Sequence, residues 1–206
     1  MHAREAGSSQ VRDLVARAKQ GDREAFDGLV ERYTPQVFNL ALRITGSREE
    51  AEDCVQEAFL RAFSALGKYR GDAAFWTWLY RVAVNVSNDA ARRLSDLPLS
   101  ASDLANPDSG DDTPDLERIG RPTQHQDAGP EQRLLTRQRR EVILQAIRSL
   151  SEHHRTVVIL YDMEGLSYDQ IARITSTRVG TVKSRLNRAR LALKDLLAEH
   201  MELLRE

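Results

Sequence analysis

A single cysteine, Cys54, supplies all the thiol chemistry in 206 residues. That excludes an internal disulfide and offers no thiolate pattern for a metal. No stretch approaches the roughly 18 to 20 consecutive apolar residues that a bilayer-spanning helix requires. The opening residues Met1, His2, Ala3, Arg4 and Glu5 are polar and lack the apolar run of a signal peptide, so a reducing cytoplasm is the expected compartment. Excess charge is lacking too. Thirty Lys and Arg stand against 31 Asp and Glu, leaving a net charge of -1. A uniformly basic nucleic-acid binder is thereby excluded, and any cationic site must be local. Neither of the two patterned blocks, 11–95 and 130–200, carries a convincing strand.

What is present is helical periodicity. Hydrophobic residues make up 41% and charged residues 30%, the profile of a globular protein with well-solvated helix faces. A first block, 11–95, places Phe26, Leu29, Val30 and Tyr33, then Val37, Leu40, Ala41 and Ile44, at helical spacing. Thr34-Pro35 suits a boundary between two helices there, because proline needs no amide partner in a first turn. Ser47 with Glu50 predicts a capping box opening a third helix, and Phe75, Leu79, Val82 and Val86 form the inward stripe of a fourth. A second block, 130–200, carries helices through Ile143, Ile147 and Leu150 and through Val157, Leu160 and Tyr161. Ser167 with Gln170 caps a short helix, and a long one follows the turn at Thr175-Ser176-Thr177. The expected fold class is all-α, two small helical domains. Between them, residues 96–129 hold eight acids against two bases, a local charge of -6, which favours a flexible, extended linker. A plain spacer and a specific role both fit that composition.

Acid is absent where base is densest. From Gln170 to Lys194 there is no Asp or Glu, while Arg173, Arg178, Lys183, Arg185, Arg188, Arg190 and Lys194 give a local charge of +7. These cations avoid the face of Val182, Leu186, Ala189 and Leu193, so the helix can dock apolar side down and present them outward. A capped short helix, a tight turn and a basic helix make the pattern of a helix-turn-helix, whose second helix enters the major groove. Lys183, Ser184, Asn187 and Arg188 are placed to reach base edges. Arg178, Thr181, Arg185 and Arg190 suit phosphates, which set register rather than sequence.

Two further faces stand out in the first block. Glu50, Asp53, Glu57 and Leu60 line the third helix away from Ala51, Val55 and Ala58. An ordinary solvated face and a docking surface for a basic partner both fit. Metal chemistry would need a second carboxylate pair on a facing helix, where only Asp72 and Asp89 are available, so neither metal nor catalytic site is expected. On the fourth helix, Trp76, Trp78, Arg81, Asn85, Asn88 and Arg92, preceded by Tyr69-Arg70, combine aromatic, cationic and amide groups. Such groups stack on unpaired bases and hold phosphates.

In this order the motifs strongly resemble bacterial sigma factors of the extracytoplasmic-function group. The resemblance is carried by residues 51–59 (AEDCVQEAF), by 69–72 (YRGD) leading into 75–85 (FWTWLYRVAVN), and by 179–186 (VGTVKSRL) with Arg188-Ala189-Arg190. It implies that Glu50, Asp53, Gln56, Glu57 and Leu60 dock on the beta-prime clamp helices of core RNA polymerase. It implies that the stretch from Tyr69 to Asn88 opens and reads the minus-ten element, extruding a base. The C-terminal helix then reads the minus-thirty-five element, with the second domain near the beta flap. It also implies promoter DNA and a cognate anti-sigma protein as partners, no cofactor, no small-molecule substrate and no catalysis by the chain itself, with the linker threading toward the polymerase active site. The alternative is a helix-turn-helix regulator that binds duplex DNA unaided. Two departures concern the turn: Thr175-Ser176 stand where Leu-Gly is common, and Arg178 where Pro is frequent. Ser accepts a positive φ less readily than Gly, so an altered turn is expected.

Overall fold

The computed structural model describes residues 2–96 and 130–200. The acidic segment 97–129, with its expected flexibility and path, lies outside them. Among the described residues the fold is helical without strands. The helices are α1 (His2–Lys19), α2 (Arg23–Thr45), α3 (Arg48–Ala65), α4 (Phe75–Asp96), α5 (Pro130–Ser149), α6 (Glu152–Val158), α7 (Tyr168–Thr175) and α8 (Val179–Leu197).

In the first block α2, α3 and α4 pack mutually, and α1 lies on α2 through Val11, Val15 and Ala18. Asp22 starts α2 by accepting the Ala25 amide at 3.1 Å, and Arg17 pairs with the same carboxylate at 2.6 Å. That amide bond first, then Arg17, holds the Asp22 carboxyl below its usual range. Contrary to the expected boundary at Thr34-Pro35, α2 runs unbroken from Arg23 to Thr45 with Pro35 inside it. Pro35 and Glu31, whose carbonyl loses its amide partner, are both exposed, so water can take the lost bond. Leu29, Val37, Leu40 and Ile44, all fully buried, keep the two halves of α2 on one core stripe. Packing overrides the local breaker.

The α3 cap is only half a box. Ser47 Oγ accepts the Glu50 amide at 3.3 Å, while the Ser47 amide donates to Thr45 Oγ1 at 3.4 Å rather than to the Glu50 carboxylate. The α7 box is complete, with Gln170 N to Ser167 Oγ at 3.3 Å and Ser167 N to Gln170 Oε1 at 2.8 Å.

In the second block α6 passes into one π-helical stretch, Ile159–Met163, and packs on α8. Ile159, Leu160, Ile171, Ile174, Val182 and Ala189 close its core. The turn between α7 and α8 keeps the shape a glycine would give it. Ser176 sits at φ 53 and ψ 41, the one non-glycine residue with positive φ among those described. Hydrogen bonds hold it there: Thr177 N to Ala172 O at 2.9 Å, and Thr175 Oγ1 with Thr177 Oγ1 at 2.9 Å. The left-handed region costs an L-residue about 1–2 kcal/mol, partly offset in a glycine by its freer unfolded chain. Ser176→Gly is therefore expected to stabilise the fold by about 0.5–1 kcal/mol, read as a raised midpoint in thermal denaturation. A lowered midpoint would show that the serine side chain holds the turn.

The blocks do not stand apart. α4 lies against α7, and α2 meets both α5 and the π stretch. Gly46, at φ 77 beyond the end of α2, lets the Arg148 side chain come so near that an added Cβ would meet its Cδ at 2.5 Å.

Candidate nucleic-acid and partner interfaces

The outer face of α3 carries Asp53 and Gln56 exposed, with Glu50 and Glu57 half-buried. Glu57 accepts from Arg61 Nε at 2.6 Å. Leu60 is 64% exposed, and Phe63, which the sequence pattern did not single out, is 49% exposed three residues on. Its ring lies edge-on to Phe26 at 4.9 Å. Leu60 borders a shallow depression of ≈ 410 Å³ with Glu57, Arg61, Ser64, Ala65 and Lys68. Two neighbouring apolar side chains thus lie uncovered, with Glu57, Arg61 and Lys68 at the edge of the depression. The i, i+3 spacing from Leu60 to Phe63 was the available signal. Asp89, a candidate for the opposing carboxylate, instead faces Arg92 at 3.0 Å and Arg61 at 3.9 Å.

The α4 stripe divides. Phe75 is buried among Tyr33, Tyr69 and Trp78, with ring centroids 5.6, 5.8 and 5.6 Å away. Trp78, expected to face away from the core, is half-buried in this cluster, 5.3 Å from Tyr69. Trp76 is half-buried too, edge-on to Tyr80 at 5.5 Å. Tyr69 is tied down by its hydroxyl, donating to Ala73 O at 2.6 Å, and by Lys19 Nζ, donating to its carbonyl at 2.9 Å. Arg70, Arg81, Asn85 and Arg92 are exposed. Asn88 is not. It is 8% exposed and exchanges hydrogen bonds with the Thr156 hydroxyl at 3.2 and 3.3 Å. In this arrangement the C-terminal block covers it.

The same seam buries a charged network. Arg43 Nη1 pairs with Glu164 Oε1, and Tyr80 donates to Glu164 Oε2 at 3.2 Å. Burial pushes the Glu164 carboxyl up, opposed chiefly by the Arg43 charge. Burial first, then Glu164, pushes the Tyr80 phenol far above its ordinary value, so it stays a neutral donor. Arg155 Nη1 reaches Ile44 O at 3.3 Å, at the electronegative end of α2. Sequence patterns miss these partners because 121 residues separate Arg43 from Glu164.

In the C-terminal block α7 and α8 form the expected helix-turn-helix. Val182, Leu186 and Ala189 are buried, while Lys183, Ser184, Asn187 and Arg188 form an exposed row. Ser184 Oγ donates to Thr181 O at 3.0 Å. Arg178 is exposed at the N-cap of α8 beside half-buried Thr181, so a cation and a positive helix end converge on one anion-attracting place. Arg185 is half-buried. Arg190 pairs with Asp162 through Nη2, with Nε at 3.3 Å, and lies 5.2 Å over the Tyr161 ring. That ring stacks on Tyr168 at 4.9 Å, and Lys183 Nζ lies 5.4 Å over Tyr168. Arg190 is thus already engaged; Asp162 and Tyr168 are neighbours that sequence reading did not assign, and Tyr161, read there only as part of an apolar helix face, is a third.

A helix-turn-helix with an exposed cationic row, on the same chain as a solvent-facing apolar patch rimmed by charge, marks a DNA-binding protein with a surface open to a protein partner. Residues 29–96 match the family model for Sigma-70 region 2, and residues 135–193 that for Sigma-70 region 4. The chain is 38% identical over 192 residues to the RNA polymerase sigma-H factor of Pseudomonas aeruginosa, covering 91% of this chain and 94% of that one. It is likewise 38% identical over 192 residues to the ECF RNA polymerase sigma-E factor of Escherichia coli K12, covering 90% and 94%. The solved structure of CnrH in complex with the cytosolic domain of CnrY shares the fold, with a TM-score of 0.63 and 24% identity over 92% of this chain and 98% of that one. The protein belongs to the extracytoplasmic-function branch of the sigma-70 family, the alternative sigma factors that direct transcription initiation.

Proposed function

We propose a division of labour over this chain in which three surfaces carry promoter-specific initiation. The α3 face, Glu50, Asp53, Gln56, Glu57 and Leu60, extended by Phe63, docks on the clamp helices of core polymerase. The element from Tyr69 to Asn88 opens and reads the minus-ten region, with Arg70, Trp76, Trp78, Arg81, Asn85 and Asn88 as contacts. The α8 row, Lys183, Ser184, Asn187 and Arg188, reads base edges of the minus-thirty-five element, and Arg178, Thr181 and Arg185 hold its phosphates. The observation that carries this reading is the pairing of an acid-free cationic α8 on a buried apolar stripe with an uncovered Leu60–Phe63 patch on the other block.

The chain supplies the promoter address and strand opening in the cytoplasm, and the polymerase performs the chemistry. A cognate anti-sigma protein is a further partner, a reading supported by the capture of CnrH with the cytosolic domain of a second protein. A native gel with labelled promoter duplex tests the division of labour. A sequence-specific complex should form with the chain plus core polymerase and not with the chain alone at the same concentration. Equally tight binding without core would establish a stand-alone regulator instead.

A further inference from the structure

The backbone from Tyr69 to Ala74 is held at its ends and unbonded in its middle. At one end the Tyr69 amide donates to Leu66 O at 3.1 Å, closing the 3-10 turn Leu66–Lys68. At the other, Ala74 O accepts the amides of Thr77 at 2.9 Å and Trp78 at 3.2 Å, which starts α4. The Tyr69 hydroxyl joins the two ends through Ala73 O at 2.6 Å. Between them Arg70, Gly71 and Asp72 have no hydrogen-bond partner among the described residues. Gly71 stands at φ 84, with open space where a Cβ would be. A segment with so few bonds of its own takes its shape from its anchors.

One anchor comes from a different helix. Lys19 Nζ donates to Tyr69 O at 2.9 Å, across 50 residues of sequence. Its own base is fixed. Val11, Val15 and Ala18 bury α1 on α2, and the turn out of α1 is closed by Gln20 N to Arg17 O at 2.9 Å and Gly21 N to Ala18 O at 3.1 Å. The Arg17–Asp22 pair then locks that turn to the cap of α2. A charged donor makes a hydrogen bond roughly twice as strong as a neutral one. No carboxylate lies within ion-pair distance of Lys19 among the described residues, so none competes for its ammonium.

We infer that Lys19 is a positioning residue for promoter opening: from α1 it fixes the Tyr69 carbonyl, and with it the loop that presents Arg70 to the minus-ten strand. The inference rests on the minus-ten assignment above. Lys19 itself touches no base and acts through Tyr69.

Two measurements test it, one of them without DNA. Trypsin needs the loop extended to cut the Arg70–Gly71 bond, so the initial rate at that bond in the free full-length chain, read by mass spectrometry, reports how firmly the loop is held. Lys19→Ala should raise it at least ~3-fold at unchanged helicity and Tm. Lys19→Arg, which keeps a charged donor of similar reach, should cut like the wild type.

With core polymerase, a promoter carrying 2-aminopurine in the minus-ten element brightens as its bases unstack. Lys19→Ala should slow that rise about 5-fold, the effect of losing one exposed hydrogen bond from a charged donor, with duplex binding and its salt dependence unchanged. Lys19→Arg should restore the rate. Wild-type rates of either kind in Lys19→Ala overturn the inference. Weaker binding to every promoter, with a salt slope lower by about one ion, would make Lys19 a phosphate contact and overturn the positioning role. Should the wild-type holoenzyme transcribe from this promoter with no rise in fluorescence, the minus-ten assignment itself fails, and faster cleavage in Lys19→Ala would then show only a structural tether.

Discussion

Phe75→Ala is expected to lower thermal stability by roughly 10 °C and to abolish strand opening while sparing duplex recognition. Truncating a buried phenylalanine costs about 3–5 kcal/mol, from lost transfer energy plus the cavity left behind. In a chain of this size each kcal/mol moves Tm by about 2–4 °C. Phe75 is where three rings meet: Tyr33, Tyr69 and Trp78 stand within 5.8 Å of its centroid. Its loss unseats the 69–74 loop and the ring of Trp78 together. Transcription from an intact duplex promoter should therefore fall far more than from a template melted beforehand over the minus-ten region. Phe75→Leu, which keeps most of the volume, should recover most of the stability and part of the opening. An unchanged Tm would mean the ring is not packed as described, and equal losses on both templates would remove its link to opening.

The second large effect belongs to Arg188. It is exposed on α8, one turn beyond Ser184, and its guanidinium fork suits two acceptors of one base. Arg188→Ala should weaken promoter binding by the holoenzyme by about 1–3 kcal/mol, about 5–150-fold, at one base-pair position. Substituting that base pair in the DNA should cost the variant little more. Arg188→Lys should not restore discrimination, because an ammonium cannot make the bidentate contact. Arg185→Ala should instead weaken all promoters alike and flatten the salt dependence by about one ion. Uniform weakening by Arg188→Ala would reassign it to a phosphate.

The parts of the fold legible in the sequence were those set by neighbours a turn away. The Ser167–Gln170 cap and the apolar stripe of α8 are local, and each stands in the structure where its spacing put it. Pro35 misled because its local preference is outweighed by residues on both sides sharing one buried stripe. The Ser176 turn shows the converse. Serine raises the strain of a left-handed turn without changing its shape, since hydrogen bonds from Thr175 and Thr177 hold it.

Candidate site residues divided by the same rule. Asp53, Gln56, Leu60 and the α8 row are exposed, as a helical wheel of their own helices requires. Trp78, Asn88 and Arg190 could not be placed that way, because their partners come from elsewhere. Tyr69 packs on Trp78 across the loop, Thr156 meets Asn88 across the seam, and Asp162 reaches Arg190 from the π stretch. A wheel drawn for one helix contains no information about the next.

Run-off transcription with purified core polymerase over a genomic promoter library bears most directly on the central claim. The account predicts that core polymerase alone gives no discrete starts. Adding the chain should give starts at promoters sharing one minus-thirty-five and one minus-ten sequence, and removing the Leu60–Phe63 patch by Leu60→Asp with Phe63→Asp should abolish them all. Starts that do not depend on added chain, or that persist undiminished without that patch, would contradict it.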